Sequence, residues 1–151
     1  MRISAKGEYA AKAVLHLSLK YPKVVTINEI AEQHHIPTKY LEHILASLKR
    51  AGVLESRRGV HGGYTLARQP EKISIGEVLR IVDGKFSQSS CIELDLRSHY
   101  TCPESNSCGL KQVWQEVQGA VDKILFETSF DDLRKRTLAG TGRRPDLVYE
   151  I

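Results

Sequence analysis

Residues 26–66 indicate the fold of this chain and read TINEIAEQHHIPTKYLEHILASLKRAGVLESRRGVHGGYTL. The first four residues of this stretch, Thr26-Ile27-Asn28-Glu29, form a capping box, which predicts that a helix begins there. That helix ends at His34-His35-Ile36-Pro37, and another follows at once, from about Thr38 to Ala51, with Gly52 as its C-cap. Two short helices with so short a break between them are typical of a helix-turn-helix.

The side chains in and around this break have the sizes that the motif requires. Ala31 is small where the two helices cross, Ile36 fills the turn, and Leu41 and Ile44 face inward. A residue near position 35 must tolerate a positive φ, and histidine does so more readily than most residues. A plain pair of packed helices without DNA-binding activity remains the alternative at this point.

The segment after the two helices favours DNA binding over that alternative. Residues 53–56 and 63–66 are predicted to form two strands around the loop Arg57-Arg58-Gly59-Val60-His61-Gly62. A hairpin with a basic, glycine-rich tip directly after a helix-turn-helix is a wing. Arg57 and Arg58 can reach phosphates or the minor groove, and Gly62 and Gly63 allow a close approach of the backbone to DNA.

Three side chains at the start of the second helix are predicted to face the major groove. Lys39, Tyr40 and Glu42 lie opposite the face formed by Leu41 and Ile44. A glutamate there can accept a hydrogen bond from cytosine.

Charge and composition agree with a nucleic-acid partner. Residues 1–68 contain 11 lysines and arginines against 5 aspartates and glutamates, whereas residues 69–151 contain 11 against 13. A basic half beside a mildly acidic half suggests that the first half meets a polyanion.

No apolar run approaches a membrane span, and no signal peptide opens the chain, so we expect a cytoplasmic protein that does not enter the membrane. No phosphate loop, nucleophile elbow or HExxH pair is present, and we expect no enzyme.

Helical periodicity also marks the flanking segments. A first helix is predicted over residues 5–20, and the capping box Ser74-Ile75-Gly76-Glu77 predicts a short helix that ends at Val82. Residues 83–107, which we call the cysteine loop, show no clear period. A long helix from about Cys108 to Thr128 and a short one over residues 129–137 follow. The predicted fold is mainly α: a winged helix-turn-helix domain (1–68), a cysteine-bearing loop with a dimerisation helix (69–137), and a flexible tail (138–151).

The predicted long helix (α5, about residues 108–128) carries an apolar stripe, the α5 stripe, that needs a partner. Its members are Leu110, Val113, Trp114, Val117, Val121, Ile124 and Leu125. The winged domain has a core of its own, so a second copy of the chain is the economical partner, because dimeric regulators read two half-sites. Packing back onto the first domain is the alternative.

The chain contains three cysteines, Cys91, Cys102 and Cys108, which lie within one short stretch. An odd number in a cytosolic chain argues against a disulfide framework and for metal or redox chemistry. Thiolates are the usual ligands of iron–sulfur clusters, and three of them leave one iron without its full set of cysteine ligands. Zinc bound together with His99 and a switch that uses only the thiols are the alternatives, although structural zinc sites usually show Cys-x-x-Cys pairs.

Several motifs together carry a family resemblance over about residues 1–135. They are MRISAKGEYA at the start, Tyr40-Leu41-Glu42, RGVHGGY in the wing (58–64), Ile75-Gly76-Glu77-Val78, Val82-Asp83, the loop cysteines and Trp114. With these motifs the chain resembles the iron–sulfur winged-helix regulators of the Rrf2 superfamily, which include the Isc-cluster repressor and the nitric-oxide-sensing repressor. The resemblance implies a homodimeric transcription regulator that binds a palindromic operator in double-stranded DNA. Its loop cysteines would ligate a [2Fe–2S] cluster, or else a [4Fe–4S] cluster, that controls operator affinity.

Two departures from the family pattern leave the fourth ligand open. Ten residues separate Cys91 from Cys102, so the loop is longer than in the better-known members, and Lys111 stands where the Isc-type repressor has a histidine ligand. The resemblance implies that Glu8, near the start of the first helix, caps the cluster of the partner subunit, or that His34 or His35 does so. The alternative for Glu8 is a surface charge favoured near a helix N-terminus.

Overall fold

The computed structural model describes residues 3–84 and 108–140 of the chain, and that part is mainly helical. The helices are α1 (Ala5–Lys20), α2 (Ile27–His34), α3 (Thr38–Arg50), α4 (Ile75–Asp83), α5 (Gly109–Glu127) and α6 (Phe130–Gly140). The strands β1 (Leu54–Arg57) and β2 (Gly63–Leu66) form an antiparallel hairpin, and Pro70–Lys72 is a short 3-10 turn. The mainly α winged helix-turn-helix expected from the sequence is confirmed. Of the expected features, the cysteine loop beyond Gly84 and the tail beyond Gly140 lie outside the described residues.

The turn between α2 and α3 has the geometry that the sequence predicts. His35 adopts the left-handed conformation, with φ 52° and ψ 44°. Its backbone N–H donates to Glu32 O at 3.4 Å, and the N–H of Ile36 donates to Ala31 O at 2.9 Å. This is a Schellman arrangement, which satisfies the last carbonyls of α2 and lets α3 begin immediately.

Both predicted capping boxes form their N-cap half. The side-chain oxygens of Thr26 and Ser74 accept the backbone N–H of Glu29 and of Glu77, each at 3.2 Å. The two glutamates also bond to distant partners: Glu29 Oε1 lies 3.2 Å from His16 Nε2, and Glu77 Oε1 accepts from Arg68 at 2.6 Å. Each helix start is therefore tied to another element as well as capped.

The wing hairpin begins one residue later than predicted. β1 includes Arg57 because this residue pairs with Gly63, while Leu54 pairs with Leu66. Tyr64 also pairs with Val25 in an isolated bridge, which fastens the hairpin to the segment between α1 and α2. The other predicted ends differ from the observed ones by a few residues, as is usual at element ends.

Helix α1 lies at the centre of the molecule and packs against α2, α3, α4, α6 and β2. Its buried face contributes Ala10, Ala13, Val14 and Leu17 to the core, all fully buried. The same core contains Phe130, from the start of α6, although this residue is more than sixty positions beyond the wing. The chain after α5 thus returns to the winged unit and completes its core.

None of the helices within residues 3–84 and 108–140 is long and apolar enough to cross a membrane.

Replacing Phe130 by alanine is expected to lower the free energy of unfolding by about 3–5 kcal/mol, because it removes a fully buried ring from a closed core. Urea unfolding followed by circular dichroism measures the change. Val60→Ala, which shortens an apolar side chain exposed at the wing tip, is the control and should change stability by less than about 0.5 kcal/mol. Equal stability of the Phe130→Ala variant and the wild type would contradict the shared core.

Candidate DNA interface and metal-ligand residues

Helix α3 presents Lys39, Tyr40 and Glu42 to the outside, and all three are exposed. Its opposite face is buried in the core through Leu41, Ile44, Leu45 and Leu48. The predicted groove-reading residues therefore lie together at the start of an exposed helix face. His43, which the sequence analysis did not select, is exposed next to them.

Tyr40 is held from behind by the first helix. Its ring packs edge-to-face against Tyr9 of α1, with 5.9 Å between ring centroids and 82° between planes. Such pairs are favourable beyond the area they bury. The start of α3 is thereby positioned by a residue that directly follows Glu8 in the chain.

The wing tip is exposed and basic. Arg57, Arg58 and His61 are all accessible, and Val60 is 98% exposed between them. A Cβ at Gly62 would lie 2.6 Å from Arg57 O, and one at Gly63 would lie 2.2 Å from Val25 O. Both glycines are thus required by close approaches within the chain itself, and they shape the loop that carries the arginines.

A hydrogen-bonded chain of three side chains joins α1 to α2. His16, 8% exposed, is its centre: Nε2 lies 3.2 Å from Glu29 Oε1, and Nδ1 lies 3.2 Å from His34 Nε2. A carboxylate only accepts, so His16 donates to Glu29 through Nε2 and accepts from His34 through Nδ1. The two partners of His16 are 13 and 18 residues away in the chain, so the sequence carries no local signal for these bonds.

The charge states of this chain follow from its surroundings. Burial lowers the pKa of His34 below its usual value, and neighbouring His16 and Lys12 lower it further. The hydrogen bond from His16 lowers the pKa of Glu29, and Lys20 adds to that effect while burial opposes it. At neutral pH we therefore expect a neutral His34 and an ionised Glu29.

Glu8 lies in the first turn of α1 with an exposed carboxylate, 2.6 Å from Lys12 Nζ. It borders an apolar cavity of about 330 Å³ on the outer side of α1, lined by Ile3, Gly7, Ala11, Lys12, Leu15, Ile75, Leu79 and Leu133. Glu8 and His16 are two turns apart, roughly 12 Å along the helix axis. His34 belongs to α2 and contacts α1 at His16. The two candidate ligands Glu8 and His34 are therefore well separated from each other.

The end of α4, just before the cysteine loop, is fastened to α1. Ser4 Oγ donates to Asp83 Oδ1 at 2.6 Å and accepts from the N–H of Gly7 at 2.9 Å, while Lys6 Nζ donates to Val82 O at 2.9 Å. A Cβ at Gly7 would lie 2.4 Å from Asp83 Oδ2, so only glycine allows this approach. Asp83, the last residue of α4, thus lies against the turn of α1 that carries Glu8.

Of the three cysteines, the structure describes Cys108, a partly exposed free thiol at the N-cap of α5. Cys91, Cys102 and His99 lie outside the described residues. Within residues 3–84 and 108–140, no three histidine, cysteine, aspartate or glutamate side chains are arranged so that they could hold a metal ion. His35 is exposed at the helix-turn-helix turn, next to His34.

Comparison with known proteins gives the family. Residues 3–136 match the family model of Rrf2, described as an iron-dependent transcriptional regulator. The chain belongs to the Rrf2 family. A putative helix-turn-helix regulator of Rhodobacter capsulatus, described as rrf2-like, is 38% identical over 139 residues, which cover 87% of this chain and 91% of the relative.

Solved structures of two Rrf2 relatives share the fold. IscR of T. potens superposes with a TM-score of 0.74 at 28% identity and covers 99% of this chain and 97% of its own. CymR of B. subtilis, described as that organism's global cysteine regulator, also reaches 0.74, at 26% identity, with 89% and 97% covered. This Rrf2 chain is therefore a helix-turn-helix transcription regulator and not an enzyme, and its similarity to both structures does not decide which signal it senses.

Two substitutions should separate backbone contacts from base contacts. Arg58→Ala should weaken binding to all sequences and reduce the slope of log affinity against log salt by roughly 1, since one phosphate contact is lost. Glu42→Ala should instead relax the preference at one base pair, by about 1–3 kcal/mol. Fluorescence anisotropy over a salt series, with Lys123→Ala on the exposed surface of α5 as control, measures both. Wild-type binding by both variants would show that the docking is wrong.

Proposed function

We propose that this Rrf2 regulator is a cytoplasmic homodimer that binds palindromic operator DNA with an affinity set by an iron–sulfur cluster. The observation that carries the proposal is the position of the described residues on either side of the cysteine loop. Asp83 bonds to the α1 turn that bears Glu8, and Cys108 follows the loop at the N-cap of α5. A change in ligation within the loop would therefore act on elements that support the DNA-binding unit.

The donors fit a cluster in their chemistry. Cys108 is a partly exposed thiol at a helix N-terminus, where an anionic ligand is favoured by the helix dipole. Cys91 and Cys102 would complete a set of three soft ligands, with [2Fe–2S] favoured and [4Fe–4S] as the other form. When bound, the cluster would supply a redox-active, ligand-sensitive centre.

We propose Glu8 of the partner as the fourth ligand. Its carboxylate is 58% exposed, and its ion pair with Lys12 is a surface pair that costs little to exchange for another partner. The apolar cavity beside it offers a surface that the partner subunit can cover. A histidine ligand fits less well, because His34 Nε2 faces His16 and only Nδ1 would be left for a metal, whereas His35 has an exposed side chain.

The α5 stripe supports the homodimer. Leu110, Val113 and Ile124 are 58%, 51% and 65% exposed in the single chain, and no residue of α5 is buried. Phe126, two residues after Ile124 and so roughly on the opposite face, packs on the chain's own α4. The exposed members of the stripe mark an interaction surface, and a second copy of the chain can cover them with two-fold symmetry.

The route from ligand to DNA runs through α1. Glu8 lies in its first turn, Tyr9 contacts Tyr40 of the recognition helix, and His16 bonds to His34 of α2. If Glu8 is bound to the cluster in one cluster state and released in another, the position of α1 changes between the two states. The positions of α2 and α3, which pack on α1, would then change with it.

The similarity to CymR favours a second candidate function. A regulator of this fold is described as a global cysteine regulator, and three thiols would suffice for a switch without iron, or for a zinc site. The two functions differ in whether iron and sulfide are present in the purified protein.

Protein purified without oxygen should be coloured and contain iron and acid-labile sulfide, because thiolates on iron absorb visible light. Replacing Cys91, Cys102 or Cys108 by alanine should each remove the colour. Glu8→Ala should keep the colour but change the spectrum and weaken the dependence of operator affinity on the cluster. Glu116→Ala, an exposed glutamate of α5, is the matched control and should behave as wild type.

Colourless protein that contains zinc in equal amount to the chain would establish the zinc alternative. Colourless protein without metal, whose operator affinity responds to thiol oxidation, would establish the thiol switch.

A further inference from the structure

The C-terminal end of α5 packs on α4 through the aromatic ring of Phe126. A Cβ at Gly76 would lie 2.8 Å from three ring atoms of Phe126, so the ring lies directly on the glycine backbone. Arg80, one turn further along α4, places its guanidinium carbon 4.3 Å from the centroid of the same ring. A guanidinium over an aromatic face is attracted by the ring electrons. We call Gly76, Arg80 and Phe126 the Phe126 seat.

The chain just beyond the seat is held by backbone hydrogen bonds. The N–H of Ile75 donates to Thr128 O at 3.1 Å, and the N–H of Phe130 donates to Ile73 O at 2.9 Å. The end of α5 is therefore fixed in place next to the start of α4. The Phe126 seat lies about half a helical turn before these hydrogen bonds. The contact of Phe126 with α4 therefore determines the direction in which α5 extends from the winged unit.

Helix α4 belongs rigidly to the winged unit. Glu77 accepts from Arg68 at the end of the wing at 2.6 Å, and Lys6 of α1 donates to Val82 O at 2.9 Å. Ala51, at the end of the recognition helix, lies beside Phe126 and Arg80 and lines the same cleft. A change in the angle between α5 and α4 therefore also changes the orientation of α5 relative to α3, the helix expected to read DNA.

Helix α5 is long enough to amplify a small change at the seat. Its 19 residues span roughly 28 Å at 1.5 Å each. A rotation of about 10° at one end of such a rod moves the other end by about 5 Å, more than the rise of about 3.4 Å for one base pair.

We propose that the Phe126 seat determines the spacing between the two operator half-sites that the dimer reads. The inference rests on the proposed homodimer and is independent of the cluster. If the α5 stripes of two chains pair, each winged unit extends from the C-terminal end of its own α5. The direction of α5 at the Phe126 seat then sets the distance between the two α3 helices. Half-site spacing is a geometric property of such a dimer.

Gly76→Ala is the direct test, because Gly76 is a helical residue and the three atoms nearest to an added Cβ all belong to the ring of Phe126. Arg80→Ala removes the guanidinium from an exposed position. Gly119→Ala is the matched control, since a Cβ there meets nothing within 4 Å, and the residue lies on the side of α5 away from Val117. All are compared with the wild type in a single cluster state.

The probe is a set of duplexes that carry the palindrome selected by the wild type from a random pool, with the half-sites moved apart or together in single base-pair steps. For Gly76→Ala the preferred spacing between half-sites should shift by about one base pair. Its affinity for the duplex with the wild-type spacing should fall roughly tenfold, which is comparable to the cost of one mismatched base pair. Arg80→Ala should broaden the spacing profile. Both variants should bind a duplex with a single half-site as the wild type does, and Gly119→Ala should match the wild type throughout.

A wild-type optimum and width for dimeric Gly76→Ala would overturn the proposal, as would an equal change in the Gly119→Ala control. Equal weakening at the single half-site would also overturn it, because the seat would then act within the winged unit. If Gly76→Ala does not fold, Arg80→Ala decides by the width of its profile. Sedimentation distinguishes the two proposals: a monomeric wild type overturns the homodimer and the seat together, whereas a dimer with insensitive spacing overturns the seat alone.

Discussion

The packing of α1 against both helices of the helix-turn-helix is the interaction on which the rest of the structure depends. Its buried face closes the core, Tyr9 positions the start of the recognition helix, and His16 holds the end of α2. The first turn of the same helix receives Asp83, where the cysteine loop begins. Because interiors are close-packed, α1 cannot shift without moving the helices it supports.

Local chemistry made the winged unit predictable from the sequence. Capping residues, the left-handed turn at His35 and the wing glycines act over a few positions and leave a readable pattern. The contacts that sequence reasoning missed join distant positions: Phe130 in the core of the winged unit, Glu29 on His16, and Phe126 on Gly76. Periodicity shows that a side chain has an apolar neighbour, but not which one. A single sequence carries no signal for such pairs.

The candidate site was predictable to different degrees for the same reason. Lys39, Tyr40 and Glu42 follow from the position of α3, and their exposure agrees with that prediction. The cysteines and Glu8 came from composition and resemblance, and the structure adds what lies around them: the Asp83 anchor, the apolar cavity beside Glu8, and the N-cap position of Cys108. His34 or His35 as a ligand was implied by the resemblance and stays a prediction; the structure adds that the imidazole of His34 bonds to another histidine.

A mixed dimer tests the central claim, ligation of one subunit's cluster by Glu8 of the other, most directly. Subunits with Glu8→Ala and subunits with Cys91→Ala, carrying different tags, are produced together, and the mixed dimer is isolated through both tags. Ligation across the dimer predicts one complete site, formed by the cysteines of the first subunit and Glu8 of the second. The mixed dimer should then contain half the iron of the wild type, with the wild-type spectrum and cluster-dependent operator binding. A spectrum identical to that of the Glu8→Ala homodimer would contradict the account.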